Sequence, residues 1–332
     1  MVGLLGFKFL SRNWIVCFRV VDRSTVLVLT GPTASGKSTL AYDLCRLYPD
    51  QFELISVDSA QVYRGLDIGS AKPSVEERSL VPHHLIDIRD PEDPYTAHDF
   101  VAEATGCIKE IQARGKKVLM VGGTMLYLRS LREGLADLPS ASPTVRAALE
   151  AEAEVAGWQA LHDRLRAVDP TAADRIRPTD RQRLQRALEV FELTGESLTS
   201  LQSAALTACP FELVEVAIFP EDRRELHKRI EQRFDQMLDA GFVEEVAALR
   251  QSMPQGEGLP AMKSVGYRQI WAYLEGQFDW NQMRSKAVIA TRQLAKRQIT
   301  WLRSWPHVSR LPLPTLEALL KIEAVDHIVS KG

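Results

Sequence analysis

Apolar residues along this chain keep two different rhythms. Thr25-Val-Leu-Val-Leu-Thr30 is an unbroken β-branched and aliphatic run that ends in a glycine loop, which predicts a buried strand. Ser38 to Tyr48 places its apolar residues at helical spacing and is closed by Pro49. Phe52 to Val57 predicts a second strand, His84 to Ile88 a third and weaker one, and Lys117 to Val121 a fourth. A helix is predicted from His98 to Arg114. Strands alternating with helices predict an α/β fold, a parallel sheet wrapped by helices.

The texture shifts after about Gly134. Thr144 to Ser203 is rich in Ala, Glu, Arg and Leu, with helix stops at Gly157, Pro170, Pro178 and Gly195, and predicts a helical insertion. Glu212 to Ile218 returns to strand character, and Arg223 to Trp305 is helical again with a break around Pro254 to Pro260. The expected organisation is a core from residues 24–134 and 210–306, a helical insertion over 135–209, and a C-terminal tail over 307–332. Residues 1–23 hold no motif, and Lys8, Arg12 and Arg19 interrupt their apolar run as they would not in a signal peptide. No apolar run there reaches the roughly 20 residues needed to span a bilayer, so no membrane partner is expected. The segment is expected to be a dispensable extension, a disordered tail or a start-site artefact, with an amphipathic organelle-import leader as the alternative.

Composition changes this picture little. At 332 residues, 45% of them hydrophobic and 25% charged, the chain can bury a sizeable core. Lys plus Arg number 41 against 43 Asp plus Glu, so only local clusters of charge can speak of partners. Cys17, Cys45, Cys107 and Cys209 are far apart with no CxxC pair, which suits neither a disulfide framework nor a zinc site and fits a reducing, cytoplasmic compartment.

The loop Gly31, Pro32, Thr33, Ala34, Ser35, Gly36, Lys37 and Ser38 matches GxxxxGK[ST], between a predicted strand and a predicted helix. Its glycines let backbone N–H groups converge on a phosphate, and the following helix adds its positive N-terminal end. Lys37 supplies a mobile cation, and the Ser38 hydroxyl can ligate Mg²⁺. Such a loop implies a diphosphate or triphosphate rather than ATP hydrolysis. Hydrolases and kinases of this class usually end a strand in an Asp that helps hold magnesium. Here KVLMV runs into Gly122-Gly123-Thr124, and Leu85-Ile-Asp87 is a weak substitute, which argues against an ATPase.

The second strand is followed by Asp58-Ser59-Ala60-Gln61-Val62-Tyr63-Arg64-Gly65-Leu66-Asp67-Ile68-Gly69-Ser70-Ala71-Lys72-Pro73. This segment resembles the signature of tRNA dimethylallyltransferases, also called tRNA isopentenyltransferases. Pro82-His-His-Leu-Ile-Asp87, Val121-Gly-Gly-Thr-Met-Leu-Tyr127, Asp180-Arg-Gln-Arg-Leu-Gln-Arg-Ala-Leu-Glu189, Val265-Gly-Tyr-Arg-Gln269 and Ala290-Thr-Arg-Gln-Leu-Ala-Lys-Arg297 continue the match in the family's order, over about residues 25 to 306. The resemblance implies a P-loop NTPase-like core and a dimethylallyl diphosphate donor on the P-loop. It also implies an acceptor adenosine at tRNA position 37, beside the anticodon, in tRNAs that read codons beginning with U. With no cysteine after Cys209 the appended zinc finger of eukaryotic relatives is not expected, and a bacterial-type enzyme, acting as a monomer, is.

The exocyclic amine of adenine is a poor nucleophile, because its lone pair is delocalised into the ring. Attack becomes feasible as the allylic C–O bond loosens, and the cradle around Lys37 stabilises the departing charge. Asp58 follows the second strand and so lies at the same sheet edge as the P-loop. As carbon bonds to N6 the proton there becomes acidic enough for an ordinary carboxylate, which makes Asp58 the candidate general base. A turn-capping role for Asp58 is the alternative. The resemblance implies that Thr124 positions the adenine or the pyrophosphate; for Thr33 a ligand role and a plain turn role stand side by side. Asp67 and Lys72 have no role readable from sequence.

Two basic stretches are candidates for RNA phosphates. Arg175, Arg177, Arg181, Arg183 and Arg186 lie close together, and Asn281 to Leu316 has no acidic residue while Arg284, Lys286, Arg292, Lys296, Arg297, Arg303 and Arg310 accumulate. Arg292 and Lys296 share a helix face. A solvated helix face is the alternative for each. Trp301 and Trp305 could stack on bases but at helical spacing read as core. The resemblance adds the anticodon stem-loop as partner and, as tRNA contacts, Asp58, Ser59, Ala60, Gln61, Thr124, Arg146, Gln182, Arg183, Leu184, Gln185, Arg186, Lys263, Gly266, Tyr267, Arg268, Arg292, Lys296 and Arg297. Two other readings share the P-loop: a nucleoside or small-metabolite kinase that uses the arginines of 175–186 as a lid, and a nucleotide-switched RNA-binding module.

Overall fold

The structure is a computed structural model that describes residues 25–136, 138–203 and 209–330. The expected N-terminal extension and Cys17 lie outside the described residues. β1 (Thr25–Thr30), β2 (Phe52–Val57), β3 (His83–His84) and β4 (Lys117–Gly122) alternate with α1 (Lys37–Leu47), α2 (Val75–Leu80) and α3 (Ala97–Ala113). Then come α4 (Met125–Glu133), α5 (Pro143–Val168), α6 (Pro170–Arg175), α7 (Arg181–Thr194) and α8 (Leu198–Ser203). The chain returns through β5 (Glu212–Ile218), α9 (Arg223–Asp239), α10 (Phe242–Ser252), α11 (Tyr267–Leu274) and α12 (Trp280–Arg303), and ends in β6 (Ser309–Leu311), α13 (Leu316–Leu320) and α14 (Glu323–Ser330).

The six strands form one parallel sheet in the order β3-β2-β4-β1-β5-β6. Alternate residues point to opposite faces, and both faces are covered. Val26 and Val28 of β1, Ile55 and Val57 of β2, and Val118 and Met120 of β4 face a core shared with Phe100, Ile108, Leu128, Ala287 and Leu302. Leu27, Leu29, Leu54, Leu119, Val216 and Ile218 face a second core with Leu40 and Leu44 of α1. Each such fully buried aliphatic side chain contributes roughly 1.5–3 kcal/mol of transfer free energy. Helix α3 begins where Thr96 accepts from the Asp99 N–H and Asp99 reaches back to the Thr96 N–H, a capping box.

The insertion, α5 to α8, buries its own cluster of Leu149, Leu161, Leu165, Leu184, Leu188 and Val190. Gly157 breaks α5 with φ 84 and ψ 153. Pro170 opens α6 as much as it stops α5, because Asp169 caps the new helix by accepting from the Ala172 N–H.

Two expectations need correction. The third strand stops at His84, since Leu85 and Asp87 hold φ of 62 and 56, which an extended ladder cannot include. The segment read as a C-terminal tail is built into the sheet: β6 pairs with β5, and Leu311, Leu319, Val325, Ile328 and Val329 are buried in the second core. No helix among the described residues is long and apolar enough to cross a membrane.

Candidate active site

The loops after β1, β2 and β4 leave the carboxyl edge of the sheet together and meet α9, α10 and α12 around a cavity of about 520 Å³. Gly36 turns the P-loop into α1 with φ 94, a left-handed conformation that a Cβ would strain. The Lys37 ammonium curls back to donate to the Pro32 carbonyl at 2.8 Å. Burial, helped by the Arg233 cation and opposed by the Asp58 carboxylate, lowers the Lys37 pKa to about 8. Ser38 is exposed at the start of α1, whereas Ser35 is 1% exposed and faces inward.

Asp58 sits at the end of β2 and combines the two readings drawn for it. Its Oδ1 accepts from the backbone N–H groups of Ala60 (2.8 Å) and Gln61 (3.2 Å), which is the turn-capping role. Its Oδ2 takes no hydrogen bond from the described residues, so a proton acceptor remains beside Lys37. The Ser59 N–H donates to the Thr124 hydroxyl at 3.2 Å, which ties the turn after β2 to the start of α4.

A residue that sequence reasoning missed completes the charge pattern. Arg233 of α9 lines the cavity, and burial holds its guanidinium below the usual value while Asp58 pulls it up. Ile230, Phe234 and Met237 line the same cavity. An arginine on an otherwise apolar inward stripe, at spacings of three and four, was the available signal.

The signature segment is a braced scaffold. Gln61 accepts from the Ser56 hydroxyl at 2.8 Å and donates to the Ala71 carbonyl at 3.1 Å, so its amide closes the loop. Lys72, with 2% of its side chain exposed, donates to Asp67 (2.5 Å), Asp87 (2.6 Å) and the Tyr63 carbonyl (2.8 Å), which gives Asp67 and Lys72 the roles the sequence withheld. The Glu245 carboxylate of α10 accepts from the N–H groups of Asp67, Ile68 and Gly69 and from the Tyr267 hydroxyl. A Cβ on Gly69 would stand 2.1 Å from the Phe242 ring.

The P-loop residues Thr33, Ala34, Lys37 and Ser38 line this cavity with Asp58, Ser59, Ala60, Gln61, Thr124, Lys263, Gly266, Tyr267 and Arg297. Lys263 and Arg297 are exposed cations at its wall. Arg146, Gln182, Arg183, Leu184, Gln185 and Arg186 belong to the insertion instead. There Gln182 and Arg183 border a second, arginine-rich hollow with Arg175, Arg177 and Arg181.

Several proposed RNA contacts are committed elsewhere. Leu184 and Tyr267 are fully buried: the Leu184 side chain packs in the insertion's core, and Tyr267 lies behind the cavity wall with its hydroxyl on Glu245. Arg146 and Arg186 both hold the buried Glu189 carboxylate, and Gln185 donates to the Arg146 carbonyl. The stretch without acidic residues is not one-signed in space: Arg284 is paired with Asp235 and Glu231, and Arg292 with Glu231. Trp305 is core as expected, donating to Glu215 at 3.0 Å, while Trp301 reaches the cavity wall under Arg129.

A family model described as IPP transferase matches residues 61–305. A tRNA dimethylallyltransferase of Alkalilimnicola ehrlichii is 57% identical over 278 residues, 84% of this chain and 87% of that protein. The crystal structure of a Bacillus halodurans tRNA isopentenylpyrophosphate transferase superposes with a TM-score of 0.66 at 35% identity, covering 93% of this chain and 96% of that one. A eukaryotic dimethylallyltransferase acting on tRNA gives a TM-score of 0.70 at 25% identity, covering 92% of this chain and 77% of the other.

Proposed function

Since the chain belongs to the IPP transferase family, we propose that its cavity transfers the dimethylallyl group of dimethylallyl diphosphate to N6 of the adenosine at tRNA position 37, in tRNAs that read codons beginning with U, with release of pyrophosphate. The carrying observation is the convergence of Lys37, Arg233 and the unbonded Oδ2 of Asp58 on one cavity.

The donor's diphosphate sits in the P-loop, where Lys37 leaves the Pro32 carbonyl for the anion and Arg233 adds a second cation. The allylic C–O bond breaks with its electron pair passing to pyrophosphate, and these two cations stabilise that charge in a site shielded from water. The N6 lone pair forms the new C–N bond, and the N6 proton passes to Oδ2 of Asp58. Phe234, Met237 and Leu294 supply apolar wall for the prenyl group. The adenosine reaches the cavity by unstacking from the anticodon loop, at a cost of a few kcal/mol.

The residues fit Mg²⁺ carried in with the donor: Ser38 offers one exposed hydroxyl at the first turn of α1, and no cluster of three carboxylate, His or Cys side chains suited to a metal occurs among the described residues. Bound there, the ion would neutralise diphosphate charge. Lys263, Arg297 and the arginines of the insertion hollow supply the cationic path for the anticodon stem-loop. The protein is proposed to act as a monomer in the cytoplasm.

A kinase is not favoured, because β4 runs into Gly122-Gly123-Thr124 without the magnesium-holding Asp of that class. The test incubates the protein with dimethylallyl diphosphate, Mg²⁺ and unmodified tRNA and analyses the nucleosides by mass. N6-dimethylallyladenosine is expected; turnover of ATP with no prenylated nucleoside would overturn the reading.

A further inference from the structure

Gln298 is a polar residue on the inward face of α12, 8% exposed, and both ends of its amide are committed to loops of the active site. Its Oε1 accepts from the Thr33 N–H of the P-loop at 2.9 Å, and its Nε2 donates to the Gly123 carbonyl at 2.9 Å. The pairing fixes the orientation of the amide, because a flipped group would set donor against donor and acceptor against acceptor. The fit is close: a Cβ on Gly123 would lie 2.5 Å from Nε2 and 3.1 Å from the Gly31 carbonyl.

The links continue beyond the amide. Gly123 and Thr124 both donate their N–H to the Val57 carbonyl at the end of β2. The Thr124 hydroxyl accepts from the Ser59 N–H, next to Asp58. One side chain thus spans the phosphate cradle and the loop that carries Thr124 and adjoins the base. Arg297, its neighbour in sequence, is exposed at the cavity wall.

We propose that Gln298 is a positioning residue that fixes the spacing between the diphosphate cradle and the Thr124–Asp58 side of the cavity, so that the allylic carbon and the adenine amine meet in line. It lines the cavity, but both ends of its amide are taken, so it acts through Thr33 and Gly123. The inference rests on the proposed transfer reaction. Displacing reacting groups by about 1 Å commonly costs on the order of 10²-fold in rate, and losing both hydrogen bonds leaves a partly buried N–H and a partly buried carbonyl without their partner.

The test compares wild type with Gln298→Met, which keeps shape but makes neither bond, and Gln298→Glu, which regains the donor–acceptor pattern of the amide only when protonated. Prenyl transfer by wild type checks the reaction itself; the bridge is read only from ratios to wild type. For Gln298→Met, kcat should fall about 10–100-fold. The Kd for tRNA should hold, and hydrogen exchange at the P-loop amides should speed up. For Gln298→Glu, the kcat ratio to wild type should climb as pH is lowered from about 7 to about 4.5, toward the ordinary glutamate range, whereas the Gln298→Met ratio stays flat. Wild-type kcat in Gln298→Met, whatever its melting temperature, overturns the proposal. So does a Gln298→Glu ratio that stays at the Gln298→Met level at every pH.

Discussion

Arg292 of α12 donates to the Glu231 carboxylate of α9 at 2.9 Å, so a charge with no acidic neighbour in sequence has one in space. Lys296, one turn further along, and Arg297 are exposed. Replacing Lys296 and Arg297 together by alanine should weaken tRNA binding and flatten the slope of log affinity against log salt by roughly one unit per lost phosphate contact. Arg292→Ala alone should leave that slope nearly unchanged. Binding titrations at several salt concentrations separate the two, and an unchanged slope in the double variant would show that this face is only solvated.

Asp58→Asn keeps an oxygen for the Ala60 and Gln61 N–H groups and so preserves the turn while removing the base. Single-turnover transfer should drop by about 10²-fold or more, on the scale of lost general-base catalysis, with tRNA affinity intact. Near-normal turnover would reduce Asp58 to its capping role.

The Lys37 pKa, lowered to about 8 mainly by burial, gives two opposite pH trends in the empty enzyme. Lys37 is a cation below about pH 8, so affinity for a non-hydrolysable dimethylallyl diphosphate analogue should decline as pH rises through that value. Stability moves the other way. Between about 8 and the ordinary 10.5 the unfolded chain binds the extra proton, so this group's contribution to folding free energy improves with pH. Titration calorimetry from pH 7 to 9.5 should show the first trend and Lys37→Ala should lack it.

Leu319 of α13 is 1% exposed within the second core, although it lies in the segment whose sequence reads as a tail. Leu319→Ala should destabilise the fold by about 2–5 kcal/mol, the usual range for a buried leucine, visible as a shifted urea midpoint. The P-loop should feel a deletion here as well, since Pro314 packs within 3.2 Å of where a Gly36 Cβ would stand.

Local signals carried most of what the sequence revealed. The β-branched runs of β1, β2, β4 and β5 needed no partner to be recognised, and the P-loop and Asp58 are contiguous motifs whose sheet edge follows from parallel topology. Residues defined by long-range contacts stayed hidden. Gln298 has meaning only beside Thr33 and Gly123, which are 265 and 175 positions away in the chain. Arg233 looked like one more charge in a charged helix until α9 turned that side to the cavity. Leu184, matched by motif as an RNA contact, has its side chain in the insertion's core, because a matched motif does not say which of its residues face inward. The short β6, α13 and α14 fell below the length at which periodicity is informative.

The pairing of β1 with β5, Thr25 beside Glu212 through Thr30 beside Ala217, bears on biosynthesis. When the first four strands have left the ribosome, β1 still lacks its second neighbour, and the whole insertion must be translated before β5 arrives. The insertion has its own apolar cluster and mostly local contacts, so it is expected to condense on the nascent chain ahead of the sheet. Pulse-labelled hydrogen exchange during refolding should protect amides of α5 and α7 before those of β1; protection of β1 first would reverse that order.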